Sequence, residues 1–311
     1  MNDINPLVSI VLPCYNRAKY ISSALESILN QTYDNFEVII VDGHSTDGTL
    51  EIINNYVSKN IRIKLLFDNG TGIGPASNLG CNACKGEYIA RMDSDDISLP
   101  QRIEEEVKFL INHPDYVLVS SAMEYMDEDG NYIGRNFVCT KDRVIRGVLQ
   151  KRNVIAHPFV MFRRDAYLKT GGYPNVKIAE DILFYSRLAR IGKFCNLPMA
   201  LGRYRLGGDT LQRAYNPYLD VLISFRIKMM CDSNIDQEDI DLYNRIYTIS
   251  KKYQVSSGKR FSERNQSMPE KLYGIIKPIC GRKRAEMFVS SLLNFYFSLV
   301  VKGIPLKTSR Y

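Results

Sequence analysis

A chain of 311 residues, 45% hydrophobic and 24% charged, can bury a sizeable core and is too apolar to be disordered throughout. Its net charge of +7 is unevenly spread: residues 251–311 hold 13 Lys/Arg against 3 Asp/Glu, which leaves 28 against 31 in the first 250. A basic excess confined to one end excludes a uniformly basic nucleic-acid binder.

Residues 7–12 (LVSIVL) are short, apolar and β-branched, and predict a buried strand. After the polar stretch CYNRAKY, Ile21, Ala24, Leu25, Ile28 and Leu29 recur at helical spacing until the chain breaks near QTYDN. A second strand over 36–42 (FEVIIVD) ends at Asp42. Thr46 or Asp47 then caps a helix whose Leu50, Ile52, Ile53 and Tyr56 are spaced to pack. A third strand is predicted over 61–67, a third helix over 75–85 and a fourth strand over 87–92. Strand–helix alternation with short loops predicts a parallel, doubly wound α/β sheet, which binds ligands at the carboxyl ends of its strands. Tyr15, Asp42 and the acidic run from Asp93 to Asp96 all fall at such ends.

Beyond residue 100 the pattern changes. A helix near 100–112 leads to two strands around a turn at Glu128-Asp129-Gly130. HPFVMFRRDAYLKTGGY predicts an apolar strand, a short helix and a glycine turn, and AEDILFYSRLARIG an amphipathic helix over 180–191. From about Leu211 the segments are helical and carry no chemical motif.

The stretch EYIARMDSDD crowds Asp93, Asp95 and Asp96 directly after an apolar strand. Like charges that close repel, and burying them unpaired costs several kcal/mol. Residues i and i+2 leaving a strand project to the same side, so Asp93 and Asp95 form a partial shell for a hard divalent cation. The competing reading is a solvated acidic turn that caps the following helix. NGTGIGPASNLG fails the dinucleotide fingerprint, because Pro75 stands where its last glycine belongs, and no phosphate-loop motif occurs. Its glycines predict a tight turn into a helix.

Glu180-Asp181 opens a helix, where carboxylates either favour the macrodipole or present a general base. Arg203 and Arg205 flank Tyr204 on a predicted strand, placed to clamp a phosphate or to decorate an exposed face. Seven cysteines spread along the chain read as reduced thiols; Cys81 and Cys84 sit at helical spacing and read as buried small residues. The three histidines share no zinc-ligand spacing. Met1 to Ile4 carry neither a basic region nor an apolar run, so no secretory signal is expected and a cytoplasmic setting is.

Taken together, VSIVLPCYNRAKYISSALESILNQTYDNFEVIIVDGHSTDGT, GEYIARMDSDD, HPFVMFRRDAY, GGY, AEDILFYSRLAR and YR resemble the family 2 glycosyltransferases of the GT-A fold over roughly residues 6–210. The resemblance implies a catalytic domain over 1–210, with a nucleotide-binding half to about 98 and an acceptor-binding half from 99. A helical, basic region over 211–311 follows. It implies that Pro13 and Tyr15 line the base pocket, that Asp42 accepts a hydrogen bond from uracil, and that Asp93 and Ser94 contact the nucleotide-sugar. Asp93 and Asp95 are the implied ligands of Mn2+ or Mg2+, Asp181 the base, Glu180 the wall of the acceptor side, and Arg205 a basic group near the diphosphate. Two positions depart from the pattern: Gly207 stands where relatives often have histidine, and Ser77 where they often have arginine.

The implied reaction is inverting transfer from a nucleotide-sugar, UDP-linked by expectation, to a saccharide hydroxyl. Two competing classes are a nucleotidyltransferase and a catalytically silent nucleotide-sugar-binding protein. The first wants a glycine-rich loop after the first strand, and PCYNRAKY has no glycine. In the tail, Arg282, Lys283 and Arg284 precede an apolar stretch of 287–301 that is too short and interrupted for a secure membrane span. It reads either as an interfacial anchor on the cytoplasmic membrane face, facing a lipid-linked acceptor, or as an ordinary core helix.

Overall fold

The computed structural model describes residues 5–70, 72–149, 153–176 and 180–206, all within one compact unit. The segments predicted from Leu211 onward, the basic tail and Gly207 lie outside the described residues.

The first half is built as its apolar runs dictate. Strands β1 (Val8–Cys14) and β2 (Phe36–Asp42) are buried along their whole length, as both-sided burial in a parallel sheet requires. Helix α1 (Ile21–Leu29) turns Ile21, Ala24, Leu25 and Ile28 inward at the expected spacing. It joins Ile10, Leu12 and Val38 in the core, where each buried aliphatic side chain contributes about 1.5–3 kcal/mol. Helix α2 (Thr49–Lys59) begins after Gly48, held at φ +95°, and Asp47 accepts the Thr49 N–H at 3.1 Å. Strand β3 (Ile63–Phe67) starts two residues later than predicted: Ile63 N–H donates to Asn60 O in a turn that leaves Ile61 97% exposed.

Gly70 and Gly72, both at positive φ, make the tight turn into helix α3 (Ile73–Ala83). Gly80 of that helix sits against the sheet so closely that a Cβ there would lie 2.5 Å from Val11 Cγ1. Strand β4 (Tyr88–Arg91) completes a parallel quartet in the order β3-β2-β1-β4.

The second half departs from the parallel expectation. Past β4 the sheet is mixed: β4 pairs antiparallel with β8 (Val160–Arg163), which pairs antiparallel with β6 (Tyr116–Met126). Strand β6 runs parallel to the 13-residue β9 (Lys193–Arg205), and a two-residue strand, β5 (Ile97–Ser98), closes on β9. The predicted hairpin is present, with β7 (Tyr132–Arg135) folding back on β6. Helices α4 (Arg102–Asn112), α5 (Asp142–Leu149), α6 (Arg164–Thr170) and α7 (Glu180–Leu188) cover this half.

Arg102 and Glu106 of α4 form a fully buried pair at 3.3 Å, and Arg102 Nη2 donates to Arg91 O and Val160 O. That arginine fixes the β4–β8 seam at the point where the acidic turn departs. Burial raises the Glu106 carboxyl to about 7 despite its partner.

Candidate active site

Of the predicted site residues, Pro13, Tyr15, Asp42 and Asp93 to Asp95 lie at or just beyond the carboxyl ends of the parallel strands β1, β2 and β4, whereas Glu180 and Asp181 lie on α7 and Arg205 ends β9. Pro13 is buried opposite Val41, and Tyr15, just beyond β1, is 58% exposed with its ring 3.3 Å from the position a Gly43 Cβ would take. His44 stacks on Phe67 at 5.6 Å, so an aromatic edge runs across the ends of β1 to β3. Asp42 is fully buried. Its two carboxylate oxygens accept from the Ser45 N–H at 2.7 Å and the Ser45 hydroxyl at 2.6 Å.

Short polar side chains knit this region to the loop after β1. Asn16 N–H donates to Ser45 Oγ, Arg17 N–H to Thr49 Oγ1 and Ala18 N–H to Asp47 Oδ2, at 2.8, 2.7 and 3.1 Å. Asn16 adopts a left-handed φ of 50° to make this fit. Sequence reasoning named Asp42 and missed Ser45 and Asn16, although the run of Asn, Ser, Thr and Asp around them is the composition that such loops use.

The acidic turn leaves β4 as expected, but its three carboxylates do not point to one place. Asp93 Oδ1 lies 2.6 Å from Arg91 Nη2, and Asp95 Oδ2 lies 3.3 Å from Arg17 Nε. Asp96 is buried and turns the other way, accepting the Arg205 N–H at 2.9 Å. Burial and then Asp93 raise the Asp95 carboxyl, and burial with both neighbours raises Asp96 well above the usual carboxylate range. Ser94 is buried against Cys14, whose thiol burial pushes up to about 12.

Two guanidinium groups, Arg91 and Arg17, thus pair with Asp93 and Asp95, while Asp96 is held in its protonated form. Among the described residues no three acidic, histidine or cysteine side chains converge as a complete shell. Asp93 and Asp95 are the hard oxygen donors that could hold a cation, one that keeps waters and phosphate oxygens as its other ligands. Arg205 is occupied differently from its predicted place beside a diphosphate. Its Nε donates to Asp95 O, its Nη1 to Asp127 O and Glu128 O, and its guanidinium lies over the Tyr20 ring at 4.5 Å. It braces the turn from behind.

On the other side, α7 presents Glu180 and Asp181. Asn153, which the sequence gave no reason to single out, donates to Asp181 Oδ2 at 2.8 Å. Glu180 is 8% exposed, and burial, then Asp181, raises its carboxyl to about 7. Beneath it, His157 Nδ1 lies 2.6 Å from the Tyr185 hydroxyl, and burial together with Arg91 holds the ring neutral.

Arg91 joins the two sides. It is 2% exposed; burial opposes its charge, but Asp93, Tyr173 and Glu180 outweigh that and raise its pKa above the usual arginine value. An arginine inside an otherwise apolar strand (YIARM) was a legible signal of a buried counter-charge.

Comparison with known proteins agrees with this fold. The Glycosyl transferase family 2 profile matches residues 9–171. The O-antigen biosynthesis glycosyltransferase WbnJ of Escherichia coli is 30% identical over 221 residues, covering 69% of this chain and 85% of its own. The structure of S. aureus TarS 1-349 in complex with UDP-GlcNAc superposes with a TM-score of 0.63 at 20% identity, over 90% of this chain and 83% of that one. The mannosyltransferase PcManGT of Pyrobaculum calidifontis, in complex with GDP-Man and Mn2+, does so with a TM-score of 0.57 at 18% identity, over 98% and 89%. The fold is GT-A, and the chain belongs to glycosyl transferase family 2 as a glycosyltransferase.

Proposed function

We propose that this chain transfers a sugar from a UDP-sugar to a hydroxyl of a saccharide acceptor, inverting the anomeric carbon. The observation that carries the reading is Arg91. Its buried guanidinium pairs at 2.6 Å with Asp93 of the acidic turn that leaves β4, which supports a donor site at that strand's carboxyl end.

The polar loop of Asn16, Asp42 and Ser45 holds the uracil end, with Pro13 and Tyr15 along the base. Asp93 and Asp95 would hold Mn2+ or Mg2+, which when bound neutralises charge developing on the diphosphate. Ser94 keeps the turn seated on β1, and Arg205 keeps it aimed. Asp181, fixed at one oxygen by Asn153, takes the proton of the acceptor hydroxyl as that oxygen bonds to the anomeric carbon. The bond to the diphosphate breaks in the same displacement, and UDP leaves with the electron pair. No covalent enzyme intermediate forms, so an α-linked donor gives a β-linked product. Glu180 walls the acceptor side.

The name of the relative WbnJ, an O-antigen biosynthesis glycosyltransferase, supports a place in polysaccharide biosynthesis; the acceptor we infer is a lipid-linked oligosaccharide at the cytoplasmic membrane face. The basic tail supports peripheral contact there; among the described residues no helix is long and apolar enough to cross a membrane.

UDP release from a panel of UDP-sugars, with and without chelator, tests the reading. Asp181→Asn should keep UDP binding and lose transfer by about 10²–10⁴-fold. Unimpaired turnover in that variant removes Asp181 from the role of base. Deleting residues 281–311 should release the protein from membranes; unchanged sedimentation with lipid would end the anchor idea.

A further inference from the structure

Three arginines touch the acidic turn, and they differ in freedom. Arg91 is 2% exposed and Arg205 7%, whereas the Arg17 side chain is 33% exposed and its acidic partner Asp95 22%. The Arg17 backbone is fixed: its own N–H and those of Asn16 and Ala18 are hydrogen-bonded to Thr49, Ser45 and Asp47. Its side chain is held lightly. Nη1 donates to Tyr15 O at 3.3 Å and Asn16 O at 3.0 Å, and Nε meets Asp95 Oδ2 in a single contact of 3.3 Å rather than a two-pronged one. Two of those acceptors are carbonyls of its own loop that water can replace, and a partly exposed single-pronged ion pair is weak.

We propose that Arg17 is an exchangeable counter-ion. It neutralises Asp95 before the donor arrives, cedes that carboxylate to the divalent cation, and then pairs with the diphosphate of the nucleotide. The inference rests on Asp95 being a metal ligand. It gives Arg17 the diphosphate contact that Arg205, with its Nε and Nη1 committed to main-chain carbonyls, is poorly placed to make. It also makes cation and nucleotide bind cooperatively, because the cation alone must displace a guanidinium that the diphosphate would otherwise re-employ. Arg17 is thus a positioning residue before donor binding and a substrate contact after it.

The test measures Mn2+ binding by electron paramagnetic resonance without nucleotide, and UDP binding by calorimetry in saturating Mn2+, on the full chain. Arg17→Met should bind Mn2+ alone about fivefold more tightly than the wild type, the scale that a partly exposed ion pair supports. In the same variant UDP affinity should fall about tenfold, and Arg17→Lys should recover part of it. Arg17→Gln carries the same readings if the methionine variant does not fold. A variant that loses UDP affinity yet leaves Mn2+ affinity unchanged or weaker overturns the exchange, while Asp95→Asn abolishing Mn2+ binding keeps the metal reading intact. If Asp95→Asn leaves Mn2+ binding untouched, the metal reading falls and the exchange with it.

Discussion

The two halves of the sheet handle polar groups in opposite ways. On the nucleotide side, β1 to β3 carry one polar cluster at their amino ends, where Glu37 accepts from Ser9 and pairs with Lys64, and at their carboxyl ends the polar work is left to loops where small side chains accept main-chain N–H groups. Asp42 with Ser45, and Asp47 with Ala18 and Thr49, are examples. From β4 onward the polarity moves inside: Arg91, Arg102, Glu106 and His157 are all buried. Each of these four also has a buried atom without a hydrogen-bond partner, as does the Tyr173 hydroxyl. Loop hydrogen bonds are local and forgiving, while buried charges are mutually dependent, since removing one strands another. The nucleotide half is therefore a generic holder, and the second half is where the chain commits stability to one arrangement of acids.

The largest break in that contrast should come from Arg91→Met. Leaving Asp93 without its buried cation should cost about 3–5 kcal/mol, read by urea unfolding, and should impair transfer in whatever folds. Gly80→Ala tests the generic half by sterics alone. Pushing a methyl against Val11 should cost about 1–3 kcal/mol with little change in the pH dependence of activity. Ser45→Ala removes the hydroxyl that accepts the Asn16 N–H and donates to Asp42, but keeps the bond from the Ser45 N–H to Asp42. A loss of about 1–2 kcal/mol with weaker UDP binding is expected, and a loss as large as that of Arg91→Met would erase the distinction between the halves.

The subtlest effect is on pH. Glu180 in the folded protein holds its proton up to about 7, above the ordinary glutamate value of 4.5. The folded state thus binds more protons than the unfolded chain between those values, and stability falls as pH rises through that window. Glu180→Gln should flatten that part of the melting-temperature profile; an unchanged slope would show that Glu180 does not titrate there.

How legible these halves were in the sequence follows from the same contrast. Runs such as VSIVLPC and FEVIIVD announce themselves because both faces are buried, and their ends locate Asp42 and Asp93 without further information. Strand β5 is two residues long and exists only because β9 offers it a partner, so no local signal marks it. Strand β9 itself is disguised by Asn196, Pro198 and Gly202, and its ladder with β6 shifts register between Ser121 and Met123. Helix α5 went unread although Ile145 and Leu149 are spaced to pack. At the site, residue types with a motif were found, whereas their partners Arg17, Ser45 and Asn153 were not. The pairings of Arg17 with Asp95 and of Asn153 with Asp181 span 28 or more residues and are decided by the fold, whereas Ser45 lies three residues from Asp42.

The clamp of Arg205 on the acidic turn joins residues 109 and 110 positions apart. A ribosome delivers the chain from its N-terminus at about 5–20 residues per second, and early segments begin to fold as they emerge. The nucleotide-side strands are therefore complete well before β9 is made, and for several seconds the turn exists as three like charges with no brace behind them. Catalytic competence arrives late, with the strand that ends at Arg205, so a truncation just short of that residue should yield a protein able to fold its first half and unable to aim its chemistry.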